Sequence, residues 1–101
     1  MIRHIVLFQL ASADPAEREA HIAEAGRRLR ALVGVIPGVR SLDVHANALD
    51  DERNSDFAIV GDFDDLAAVE GYAVHPAHVE VIDYIATIRK DGTRAAIDVE
   101  V

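Results

Sequence analysis

Ile2-Arg3-His4-Ile5-Val6-Leu7-Phe8-Gln9-Leu10 is the stretch that decides the fold. Its Ile, Val, Leu and Phe content predicts a β-strand over about residues 2–10. Alternate strand residues point to opposite faces. Ile2, His4, Val6, Phe8 and Leu10 therefore share one face, and Ile5 and Leu7 share the other with Arg3 and Gln9. A sheet wet on one side carries polar residues along that side. This strand is apolar on both, so both faces need cover. Phe57 to Phe63 reads the same way, with Phe57, Ile59 and Phe63 facing one side and Ala58 and Val60 the other.

Outward from these strands, Asp14-Pro15-Ala16-Glu17 predicts a helix start. Aspartate at the cap accepts from free backbone amides, proline suits the first helical position, and glutamate favours the positive end of the macrodipole. Ile22, Ala25, Leu29, Leu32 and Ile36 form an apolar stripe, and the helix should stop near Gly34, before the Pro37-Gly38 turn. Val39 to Ala46 reads as a second strand, with Val39, Leu42 and Val44 apolar, and 47–54 as a polar, acidic loop.

Asp64-Asp65 caps a short helix running to about His75, with Leu66, Val69 and Tyr72 on one side. Pro76 disfavours helical geometry at His75 and suits the first turn of a new helix. Residues 77–89 continue it, with Val81, Ile82, Ile85 and Ile88 as the buried stripe. Asp91-Gly92 ends it, and Thr93 to Val101 forms a last strand with Ala95, Ile97, Val99 and Val101 on one face. The order β-α-β-β-α-β is an α+β, ferredoxin-like arrangement with a four-stranded antiparallel sheet. Its helices cover one face. A second copy of the sheet is the economical cover for the other, which predicts a homodimer.

A chain of 101 residues holds one domain, residues 1–101, with no room for a second core. Ten basic against 18 acidic residues give a net charge of −8. That excludes nucleic-acid and anionic-membrane partners, which need clustered positive charge. The run Arg27-Arg28-Leu29-Arg30 lies on the first helix and reads as solvated charge. There are no cysteines, so disulfides, thiolate metal sites and a cysteine nucleophile are out. The opening apolar stretch is too short to span a bilayer and has no cleavage pattern after it, which points to the cytoplasm.

Tyr72-Ala73-Val74-His75-Pro76-Ala77-His78-Val79 concentrates the functional groups. His78 stands at helical spacing from Val81, Ile82 and Ile85; Tyr72 lies on the apolar side of its helix; His4 shares a strand face with Val6 and Phe8. Their polar tips converge between helices and sheet. An imidazole there exchanges protons near neutral pH, and a phenol beside it can donate to a carbonyl or enolate oxygen. The alternative is structural: His78 caps the helix and binds backbone while Tyr72 packs in the core. His75 and His78 have H-x-x-H spacing, but Pro76 sets His75 outside the regular helix and no zinc pattern accompanies it, so no metal site is expected. His21 and His45 read as surface residues. Neither a phosphate loop nor a nucleophile elbow is present.

Met1-Ile2-Arg3-His4-Ile5-Val6-Leu7-Phe8, Ile36-Pro37-Gly38-Val39-Arg40-Ser41 and His75-Pro76-Ala77-His78 together resemble the stress-responsive dimeric α/β-barrel (Dabb) family across essentially the whole chain. The resemblance implies a dimer whose two sheets close a barrel, and a small hydrophobic carbonyl ligand in a pocket lined by Val6, Phe8, Ile59, Val81 and Ile82. A plant polyketide cyclase of the family closes its substrate by aldol condensation. Likeness to it implies His78 as base, Tyr72 as oxyanion or orienting partner and His4 on the pocket wall, with no cofactor. The sequence departs from that site at Phe57, which offers no polar group, and in its bulky Val81 and Ile82. A non-catalytic, stress-linked binding dimer is the second reading, and a haem-degrading monooxygenase, a class found among related ferredoxin-like dimers, is the third.

Overall fold

The computed structural model describes residues 1–101. The elements run β1 (Ile2–Phe8), α1 (Pro15–Arg30), β2 (Val39–Ala46), β3 (Phe57–Phe63), α2 (Leu66–Val74), α3 (Pro76–Ile88) and β4 (Ala95–Glu100). The strands form one antiparallel sheet in the order β2-β3-β1-β4. This is the ferredoxin-like fold that the alternation predicts, with the second helical region split by Pro76. No helix is long and apolar enough to cross a membrane.

Local chemistry explains where each element stops. Asp14 caps α1 by accepting from the Glu17 amide at 2.9 Å. The helix ends at Arg30, short of the expected Gly34. Gly34 has φ +86°, a left-handed conformation that takes the chain out of the helical path. Leu32 and Ile36 still reach the core, from turns rather than from the helix. β1 ends at Phe8 because the Leu10 amide goes to the Asp56 carboxylate at 2.6 Å instead of joining the ladder. β4 begins at Ala95 because Thr93 is used locally: its hydroxyl accepts from the Gln9 amide and donates to the Lys90 carbonyl. In β2 a register shift between Val39 and Ser41 inserts an extra residue. It lets Val39 and Leu42 both point inward despite their odd spacing.

The inner face of the sheet meets the helices. Val6, Phe8, Phe57, Ile59 and Phe63 from the strands pack with Leu29, Tyr72, Val81, Ile85 and Ile88 in one cluster. Fully burying a side chain of this size contributes roughly 1.5–3 kcal/mol. Ile82, expected in the buried stripe of α3, is instead 44% exposed. The buried arc runs Val81, Ile85, Ile88, and one residue step turns a helix by about 100°, which carries Ile82 off it.

The outer face has no such cover. Ile5 pairs with Val60 and Ile97, and Leu7 with Ala58 and Ala95, so these apolar side chains form one continuous strip. Leu7 is 37% and Ile97 57% exposed. Polar residues flank the strip: Arg3 donates two hydrogen bonds to Asp62, and Arg30 pairs with Asp43.

Candidate functional site

The site grows from three backbone placements. Strand alternation puts His4 on the inner face of β1, opposite Gly61 of β3 and Asp98 of β4. A Cβ at Gly61 would lie 2.6 Å from Leu42 Cδ2 and 3.0 Å from Phe63 Cε1, so a side chain on that flank of His4 would force Leu42 to move. The second placement is Tyr72, buried near the end of α2. The third follows from the break at Pro76. His75 ends α2 and caps α3, its Nδ1 accepting from the Ala77 amide at 3.1 Å. The chain then turns sharply and lays His78, in the first turn of α3, back on Tyr72.

The Tyr72 and His78 rings stack, centroids 3.7 Å apart and planes inclined by 26°. Phe63 stands edge-on to Tyr72 at 5.0 Å, and His4 edge-on to Tyr72 at 6.1 Å and to Phe63 at 6.0 Å. His4, Tyr72 and His78, named from the sequence as the candidate catalytic set, thus form one aromatic cluster. The capping role considered for His78 belongs to His75. His78 keeps Nδ1 buried with no hydrogen-bond partner in the chain.

Burial decides the protonation states of two of these rings. It pushes the Tyr72 phenol well above its ordinary value, so Tyr72 stays a donor. It also pushes the His78 imidazole below its ordinary value of 6.5, an effect opposed by the Ala73 and Tyr72 carbonyls and reinforced by charge on His4 or His75. His78 is therefore neutral at pH 7. His4 has a different environment: its Nδ1 lies 2.6 Å from the Asp98 carboxylate.

The residues named as pocket-lining divide. Val6, Phe8, Ile59 and Val81 are buried in the core, whereas Ile82 faces outward. Phe8 stacks on Phe57 at 5.5 Å, about 13 Å along β1 from His4, away from the cluster. The two principal clefts lie elsewhere. One, about 900 Å³, opens among Ser12, Arg18, the 47–56 loop and Lys90; the other, about 400 Å³, lies beside Pro37, Asp64, Gly71 and His75. Neither is lined by His4, Tyr72 or His78. His45 is exposed; His21, expected on the surface, has a buried, unpartnered Nδ1. Asp98 and Gly61 were not singled out from the sequence. A lone carboxylate between Ile97 and Val99 was the only signal for Asp98, and it gains meaning only once β4 is in register with β1.

An antiparallel four-stranded sheet, helices on one face and an aromatic–imidazole cluster between the layers define a ferredoxin-like α+β domain. The chain belongs to the Stress responsive A/B Barrel Domain (Dabb) family, whose model matches residues 2–101. It is 37% identical over 78 residues to the uncharacterized protein SCO4036 of Streptomyces coelicolor, covering 77% of this chain and 79% of that one. A dimeric protein of unknown function and ferredoxin-like fold from Bacteroides fragilis superimposes with TM-score 0.85 and 31% identity, over 99% of this chain and 95% of its own. A dimeric ferredoxin-like protein of unknown function from Thermobifida fusca gives TM-score 0.77 and 28% identity, over 99% and 90%.

Proposed function

We propose that this protein is a cytoplasmic homodimer that binds a small hydrophobic carbonyl compound at the His4–Tyr72–His78 cluster and moves a proton there without a cofactor. One observation carries the ligand reading: His78 stacks on Tyr72 with its Nδ1 buried and unpartnered. Leaving such a group unsatisfied costs about 1–3 kcal/mol. A ligand oxygen or a bridging water would recover that cost. His75, three residues earlier, has its ring Nδ1 satisfied by the Ala77 amide.

The chemistry follows from the two protonation states. Tyr72 remains a hydrogen-bond donor for a carbonyl that gains negative charge. A neutral imidazole is a competent acceptor for a proton on the adjacent carbon. Aldol-type ring closure of a polyketide-like chain is the narrower form of this activity. The dimer is supported by the uncovered apolar strip on the outer face and by the dimeric state of the Bacteroides and Thermobifida proteins.

The test is deuterium incorporation beside the carbonyl of a panel of methyl ketones and β-keto acids, followed by NMR in D₂O. The native protein should accelerate exchange, and His78→Ala should slow it, by removing the imidazole that holds the ligand, with the fold retained. Exchange at the buffer rate across the panel, with no ligand-induced shift of His78 resonances, would contradict the proposal.

A further inference from the structure

We infer that Asp98 is a positioning residue that fixes the tautomer of His4, with the proton on Nδ1, and so makes His4 Nε2 the base of the site. This rests on the proton-transfer reading above and goes beyond it by naming the nitrogen that receives the proton, a role that likeness to the plant cyclase gives to His78.

His4 and Asp98 are direct cross-strand partners in the β1–β4 pair, so both side chains project from the helix side of the sheet. The His4 side chain is 12% exposed and Asp98 37%, and Nδ1 to Oδ1 is 2.6 Å. An ionised carboxylate only accepts, so the hydrogen between them belongs to Nδ1. A neutral imidazole has one N–H; with it on Nδ1, the lone pair sits on Nε2, away from Asp98. A carboxylate that orients the imidazole and faces its charge when protonated is the arrangement by which acid–base sites hold a histidine base.

His78 lacks this support. Its buried Nδ1 has no partner, and the groups that favour its protonated form are the backbone carbonyls of Ala73 and Tyr72 rather than a carboxylate. The surroundings of His4 also leave it as the group with a counter-charge. Tyr72 faces it from α2, and His78 lies behind Tyr72 on α3. Gly61 and Phe63 face it from β3, and Glu100 is the next carboxylate on the same side of β4, opposite Ile2.

The step balances without an oxidant. The Nε2 lone pair takes a proton from the carbon beside the ligand carbonyl. The C–H electron pair becomes the enolate double bond, and the carbonyl π pair moves to oxygen, where the Tyr72 hydroxyl donates. His4 then returns its proton to the product.

The test is ¹⁵N NMR of the full chain at alkaline pH, where the imidazoles are neutral, alongside ketone deuteration. The native protein should show His4 with Nδ1 protonated and Nε2 bare. In Asp98→Asn, whose amide can donate to Nδ1, the proton should move to Nε2, and exchange should fall about 10²-fold with circular dichroism unchanged. Asp98→Ala should leave a mixture of tautomers. A native His4 protonated on Nε2, or Asp98→Asn with native tautomer or native exchange rate, would overturn the assignment. Absence of exchange in the native protein counts against the proposed function, and the tautomer data then decide the role of Asp98 alone.

Discussion

The two faces of the sheet are built from similar residues but have different surroundings. On the inner face Phe63 and Phe57 are fully packed beneath helices of the same chain, while on the outer face Ile97 and Leu7 stand open. Composition alone does not separate the faces; cover does. The inner face makes the domain fold, and the outer face leaves an apolar strip open. The candidate site sits at the boundary of the covered region, where Tyr72 of α2 reaches His4 but β4 stays exposed on both sides.

The sharpest way to break the comparison is to empty one face at a time. Phe63→Ala should cost about 3–5 kcal/mol of stability, read from chemical denaturation, because it removes a ring fully enclosed by the core. Ile97→Asp should leave the secondary structure intact and yield a single-chain species in sedimentation. A fold lost through Ile97→Asp, or unharmed by Phe63→Ala, would reverse the assignment of the faces.

Acid should separate them more finely. Burial holds the folded His78 below 6.5, so the unfolded chain takes up its proton first as pH falls. The His78 contribution is absent above pH 6.5, and stability declines as pH drops below it until the folded-state value is passed. His78→Gln should remove that part of the decline, measured as the difference between native and variant melting curves from neutral pH downward. Identical slopes would show that His78 is not buried as described. The smallest effect belongs to α3: Ile82→Ser should change stability by about 0.5 kcal/mol or less, since Ile82 is partly exposed.

Much of this was legible in the chain because alternation with period two leaves little choice. β2 and β3 begin and end where their apolar pattern and flanking turns place them. The end of α1 was misplaced because Leu32 and Ile36 are as apolar as helix residues while reaching the core from turns. The His75 cap was available from the rule that identified Asp14: a residue before a first-turn proline is a capping residue. The contact between Asp98 and His4 was not available, since 94 residues separate them and only strand register brings them together. The stacking of His78 on Tyr72 likewise depends on how tightly the chain turns at Pro76, which spacing does not specify.

Light scattering at micromolar concentration tests the central claim most directly, that the outer face is covered by a second copy. The chain mass is 11.0 kDa, and the account predicts twice that value. A single-chain mass, with Leu7 and Ile97 facing water in a stable protein, would contradict it.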